Sequence, residues 1–127
     1  MLKLLKGAVV ALTLLWGMPY VYGQKATEIF IPVGQSPGLS GKHTSLGKIT
    51  AIDVPNRTIT VADSSGSYTV KITGRTQIWL DKSKLRSTNQ KGAFTDLRKD
   101  LLIEVKYEGN QRQDTGSAEW IKAQIIE

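Results

Sequence analysis

Cysteine is absent from the 127 residues, and histidine occurs once, as His43. The first absence removes disulfide staples and leaves the fold to its hydrophobic core alone. The second leaves no imidazole pair, and the scattered carboxylates Asp53, Asp63, Asp81 and Asp114 match neither a zinc ligand spacing nor a calcium loop. No metal or cofactor is therefore expected. Also missing is an apolar run that spans a bilayer: Gly7 to Tyr22 is 16 residues and contains Pro19, where a spanning helix needs about 20.

That short run reads instead as an export signal. Lys3 and Lys6 supply the positive start, Gly7 to Trp16 the apolar stretch, and Gly17 and Pro19 break it before Val21-Tyr-Gly23. Cleavage after Gly23 is expected in preference to an uncleaved anchor. With no cysteine after the apolar run, lipid attachment at a new N-terminal cysteine is excluded. The divisions are then a signal peptide over 1–23, an extended Gly/Pro-rich arm over 24–45 and one domain over 46–127. The 104 residues left after cleavage suit one small core and exclude a two-domain enzyme.

From Gly47 on, apolar residues recur every second position, the signature of half-buried strands. Ile49 and Ile52 mark the first, Ile59 and Val61 the second, and Tyr68, Val70 and Ile72 the third. Val54-Pro-Asn-Arg57 is a turn in which proline presets the first central φ, and Ser64-Ser-Gly66 makes the next reversal. Ile78 to Leu80 is a short extended piece, Lys82 to Gly92 a polar loop, and Thr95 to Asp100 one helical turn with Thr95 as its N-cap. Leu101 to Glu108 alternates most clearly, and Ser117 to Ile126 closes the chain with Ile121, Ala123 and Ile125 on one face. The pattern predicts an all-β fold: a five-stranded OB-like barrel, one short helical turn before the fourth strand, and an extended N-terminal arm.

Gly47-Lys-Ile-Thr-Ala-Ile-Asp53, Thr58-Ile-Thr-Val61, Tyr68-Thr-Val-Lys-Ile72, Thr76-Gln-Ile78, Thr95-Asp-Leu97, Ile103-Glu-Val105 and Ala123-Gln-Ile125 resemble a family of small exported bacterial domains of unknown function with an OB-like barrel. The resemblance covers Leu46 to Glu127. It implies a location in the periplasm or outside the cell and brings no catalytic residues. The glycine that usually opens the family's fourth strand is replaced here by Asp100.

Two motifs invite chemistry and lack its context. Gly34-Gln-Ser-Pro-Gly38 fits the G-x-S-x-G pattern, which would make Ser36 a nucleophile, but a proline follows and no helix can start there. Gly38 to Lys42 lacks both the first glycine and the final Ser or Thr of a phosphate loop. Asn56-Arg-Thr58 is a glycosylation sequon only in a eukaryotic secretory pathway. The protein is expected not to be an enzyme.

Charge is more informative. Lys71 to Lys99 carries +6, while the mature chain as a whole carries +4, so a localised basic surface is expected. The candidate ligand-binding residues are Lys71, Arg75, Lys82, Lys84, Arg86 and Lys91, with Trp79 as a stacking surface. Tyr68 and Tyr107 fall on apolar faces and are assigned to the core. Ile29-Phe-Ile-Pro-Val33 is too apolar for solvent, so Phe30 and Ile31 are expected to dock the arm, with Trp120 as a candidate contact. Two functions compete: a monomeric binding module for an anionic ligand or an acidic envelope partner, and a structural module whose arm joins a neighbouring protein. Nucleic acid is disfavoured, because export removes the usual substrate.

Overall fold

In the computed structural model, which describes residues 28–109 and 115–127, the first strand does the work of two. Strand β1, Ser45–Asp53, pairs antiparallel with β6, Leu102–Tyr107, through Ser45 to Lys48, and with β2, Thr58–Asp63, through Lys48 to Asp53. Between these partners it passes close over β2 at Gly47, where a Cβ would lie 2.5 Å from the carbonyl oxygen of Ala62. Only glycine fits that approach.

Strand β3, Gly66–Lys71, forms a hairpin with β2 in continuous register from Thr58↔Lys71 to Asp63↔Gly66. Gly66 takes φ 134° at the reversal, as its place after Ser64-Ser65 leads one to expect. The last long strand, β7, Thr115–Gln124, pairs antiparallel with β6 and, through its first residues, parallel with β3. That parallel contact closes the ring β1-β2-β3-β7-β6, the five-stranded OB-like barrel. Two further strands extend it: β4, Gln77–Asp81, runs parallel to the second half of β7, and the two-residue β5, Gln90–Lys91, pairs with β4.

The barrel interior is apolar. Ile49, Val61, Val70, Ile103, Val105 and Ile121 are fully buried in one cluster that also holds Tyr68 and Tyr107, whose rings sit 6.2 Å apart. Three local expectations are corrected. The helical turn is a 3₁₀ turn at Phe94–Asp96, and Thr95 lies inside it rather than capping it. The cap contact comes from Asp96, whose Oδ2 accepts the Ala93 N–H at 2.7 Å. The loop from Lys82 to Gly92 contains a 3₁₀ turn at Ser83–Leu85 as well as β5, both too short to leave a periodic signal. The signal peptide and its cleavage point lie outside the described residues, among which no helix is long and apolar enough to cross a membrane.

Candidate functional site

Alternation that sends Ile103, Val105, Ile121 and Leu80 inward sends Glu104, Lys122 and Asp81 to the outer face of β6, β7 and β4. These three charged side chains are nevertheless fully buried. A buried charge is tolerated only where it is paired and hydrogen-bonded, and much of that pairing comes from residues 28–44. The Glu104 carboxylate accepts the Gly34 N–H at 2.9 Å and the Ser40 and Thr44 hydroxyls at 2.6 and 2.7 Å. Asp81 Oδ2 accepts the Val33 N–H at 2.8 Å. Lys122 Nζ donates to Glu28 at 3.1 Å and lies 3.4 Å from the Ser36 hydroxyl, which itself donates to Glu28 at 2.6 Å. Left-handed glycines at 34, 38 and 41 (φ 80°, 77° and 77°) fold this segment back on itself.

The arm thus meets its own barrel through polar atoms more than through the apolar residues that marked it in the sequence. Phe30 points outward at 65% exposed, and Ile31 is half-buried. Of the Ile29–Val33 run only Val33 is buried. Trp120 is buried and stacks on Trp79, with ring centroids 5.4 Å apart and planes at 25°. Lys122 Nζ stands 5.2 Å from the Trp120 ring. Trp79 is 4% exposed, so it cannot offer a stacking surface to an external ligand: it points outward from β4 but is covered.

Ser36 and Lys122 together have the composition of a nucleophile and its base, yet the arrangement does not work as one. An ammonium held by a carboxylate has no lone pair to take a proton. Ser36 is 2% exposed, and its hydroxyl proton already goes to Glu28. His43, the one imidazole, lies seven positions after Ser36 and is exposed, whereas Ser36 is buried.

The basic residues divide into groups. Lys82, Lys84 and Arg86 occupy the turn after β4, held from two sides. Asp81 Oδ1 accepts the Ser83 N–H and hydroxyl at 3.0 and 2.6 Å, and Asn89 Oδ1 accepts the Lys82 N–H at 2.6 Å. Asp81 and Asn89 also reach the arm, the latter by donating Nδ2–H to the Ile29 carbonyl at 3.0 Å. A depression of about 350 Å³ lined by Leu80, Lys82, Gln90, Thr95, Asp96, Arg98 and Ile125 brings Arg98 to the same place. Lys71 and Arg75 lie before β4, a strand length of roughly 17 Å away from the turn, and Arg75 pairs with Glu108 at 3.3 Å. Lys91 donates to Gln77 at 2.8 Å. Among the described residues Lys82, Lys84, Arg86 and Arg98 have no carboxylate within ion-pair distance, a condition shared by Lys71 and Lys91; what sets the four apart is that they gather at one place.

Sequence reasoning missed Glu28, Asp81, Asn89, Glu104 and Lys122. The only signal for the last two was a charge at an outward position of a strand, which ordinarily means solvent.

Neither a protein-family model nor a curated relative matches the sequence. Among solved structures, the chain is similar to a tryptophan-to-alanine variant of CusF from Escherichia coli with Cu(II), at 12% identity over 63% of this chain and 88% of that one, with a TM-score of 0.43. It is likewise similar to CusF with Ag(I), at 12% identity over 63% of this chain and 93% of that one, with a TM-score of 0.41.

Proposed function

We propose that the chain is an exported, non-enzymatic binding module of the bacterial periplasm or cell envelope, in which the turn Lys82–Arg86, with Arg98 across the depression, receives an anionic ligand. The observation that carries this reading is the gathering at one place of four cations that have no carboxylate within ion-pair distance among the described residues, three of them on a turn fixed by Asp81 and Asn89. Fixing the turn lowers the ordering cost of binding, and unpaired surface cations steer anions toward it. The signal-like N-terminus supports export. The competing idea, an arm that joins a neighbour, has less support, because Val33, Gly34, Ser40 and Thr44 spend hydrogen bonds on the same barrel.

The CusF structures are named for Cu(II) and Ag(I). Soft cations such as Ag(I) favour thiolate, thioether or imidazole ligands. This chain has no cysteine, its two methionines are Met1 and Met18 in the signal-like segment, and its one histidine is His43. Its donor set does not fit such an ion.

The test is retention of the chain from Gln24 onward on immobilised dextran sulfate. Retention is expected to fall as salt rises and to disappear in the triple variant K82E/K84E/R86E, while R75E, whose guanidinium already pairs with Glu108, changes it little. Unaltered retention in the triple variant defeats the assignment.

A further inference from the structure

Few large apolar side chains are exposed among the described residues, and two of them flank the basic turn. Leu85 is 40% exposed between Lys84 and Arg86. Phe30, 65% exposed, follows Ile29, whose carbonyl is bridged by the Asn89 side chain to the Lys82 N–H. The other two, Val54 and Ile126, sit in the β1–β2 turn and at the C-terminus. One corner of the molecule therefore combines apolar tips with cations that have no carboxylate within ion-pair distance among the described residues.

A soluble anion would use the cations and gain nothing from a leucine and a phenylalanine held in water. A bilayer with anionic headgroups uses both, meeting basic side chains at its phosphates and apolar side chains just beneath them. The geometry points to this corner as a docking site for the anionic headgroup surface of a lipid bilayer. The inference rests on the anion-binding role proposed for the turn and adds the chemical class of the ligand.

Chain connectivity agrees with it. Five residues separate Tyr22, the end of the apolar run, from Glu28, a reach of at most about 20 Å. Ile29 follows at once and is bonded to the basic turn. During export, a chain still carrying its leader would keep this corner near the membrane.

Each basic residue near an anionic surface is expected to strengthen binding by about fivefold, so removing several is decisive. The experiment is co-sedimentation of the chain from Gln24 onward with vesicles of phosphatidylcholine, with and without phosphatidylglycerol. Binding is expected only to the anionic vesicles, and to fall at least about tenfold in F30S/L85S. Both side chains are exposed; an unchanged thermal denaturation midpoint shows that this variant is folded, and unchanged retention on dextran sulfate that its charges are in place. Equal vesicle binding by F30S/L85S and the parent overturns the inference, as does equal binding to phosphatidylcholine alone. Complete competition by millimolar inorganic phosphate also overturns it, by assigning the turn to a small free anion. Loss of vesicle binding with retention on the polymer intact supports bilayer docking. If K82E/K84E/R86E keeps its polymer retention, the underlying anion-binding role fails first.

Discussion

Glu104 and Val105 are neighbours in one strand, both fully buried, and they are buried by different means. Val105 enters an apolar cluster whose free energy comes from area removed from water and is indifferent to direction. Glu104 lies on the opposite face, where one carboxylate receives three directed hydrogen bonds from the arm. Ile121 and Lys122 repeat the contrast on β7, and Leu80 and Asp81 on β4. The interior supplies stability, whereas the outer seam fixes where a segment lies at the cost of desolvating charge. The seam also ends at the basic turn, since Asp81 and Asn89 each bond both the arm and that turn. The seam is thus placed to set the shape of the surface on which binding is proposed.

The largest effect is expected in the interior. Ile103, fully buried opposite Gly47 and Ala123, loses packing and leaves a cavity when changed to alanine. I103A should lower global unfolding free energy by about 2–5 kcal/mol, read as an earlier denaturation midpoint with all strands melting together.

The seam should respond differently. E104A removes the acceptor for three donors, but the arm can lift and give those donors to water, so the cost is capped by the free energy of undocking the arm. Amide exchange at residues 33–44 is expected to rise at least about tenfold, while global stability falls by only about 1–2 kcal/mol. If E104A instead lowers the global midpoint as far as I103A, and arm amides stay protected until the barrel melts, seam and interior are one cooperative unit and the contrast collapses.

The two layers were unequally legible in the sequence. Period two in Leu101 to Glu108 and Ser117 to Ile126 was enough to assign the inward residues, because a strand's own alternation decides which side faces in. The same alternation puts Glu104 and Lys122 on the outward face, where a charge ordinarily meets solvent, yet both are buried. What buries them is a segment some 60 to 94 positions away along the chain, and no local pattern announces such a cover. The arm misled in a second way: its apolar run suggested docking by Phe30, whereas the contacts are backbone amides and small hydroxyls of ordinary loop composition. The proline after Ser36 excluded a helix there, and Ser36 lies in a turn, its carbonyl accepting the Leu39 and Ser40 N–H groups at 3.1 and 3.0 Å. That its hydroxyl belongs to a buried ion pair could not be read without the fold.

The smallest effect separates the layers most sharply. Asp100 adopts φ 74° where the chain turns into β6, and its N–H donates to the Ile49 carbonyl at 2.7 Å. A left-handed conformation strains an L-residue, aspartate less than most, and glycine relieves it. Part of that gain is offset by the greater freedom of glycine in the unfolded chain. D100G keeps the backbone hydrogen bond and should raise global stability by about 0.5–1 kcal/mol. Amides that exchange only on global unfolding, such as those of Ile103 and Val105, should then slow by about two- to fivefold. Those of Val33 and Gly34 should not change, because arm undocking leaves Asp100 in its native conformation and so does not draw on the strain relieved there. Equal slowing in both sets would mean that the arm leaves only when the barrel unfolds; slowing confined to the barrel would establish the seam as a separately opening layer.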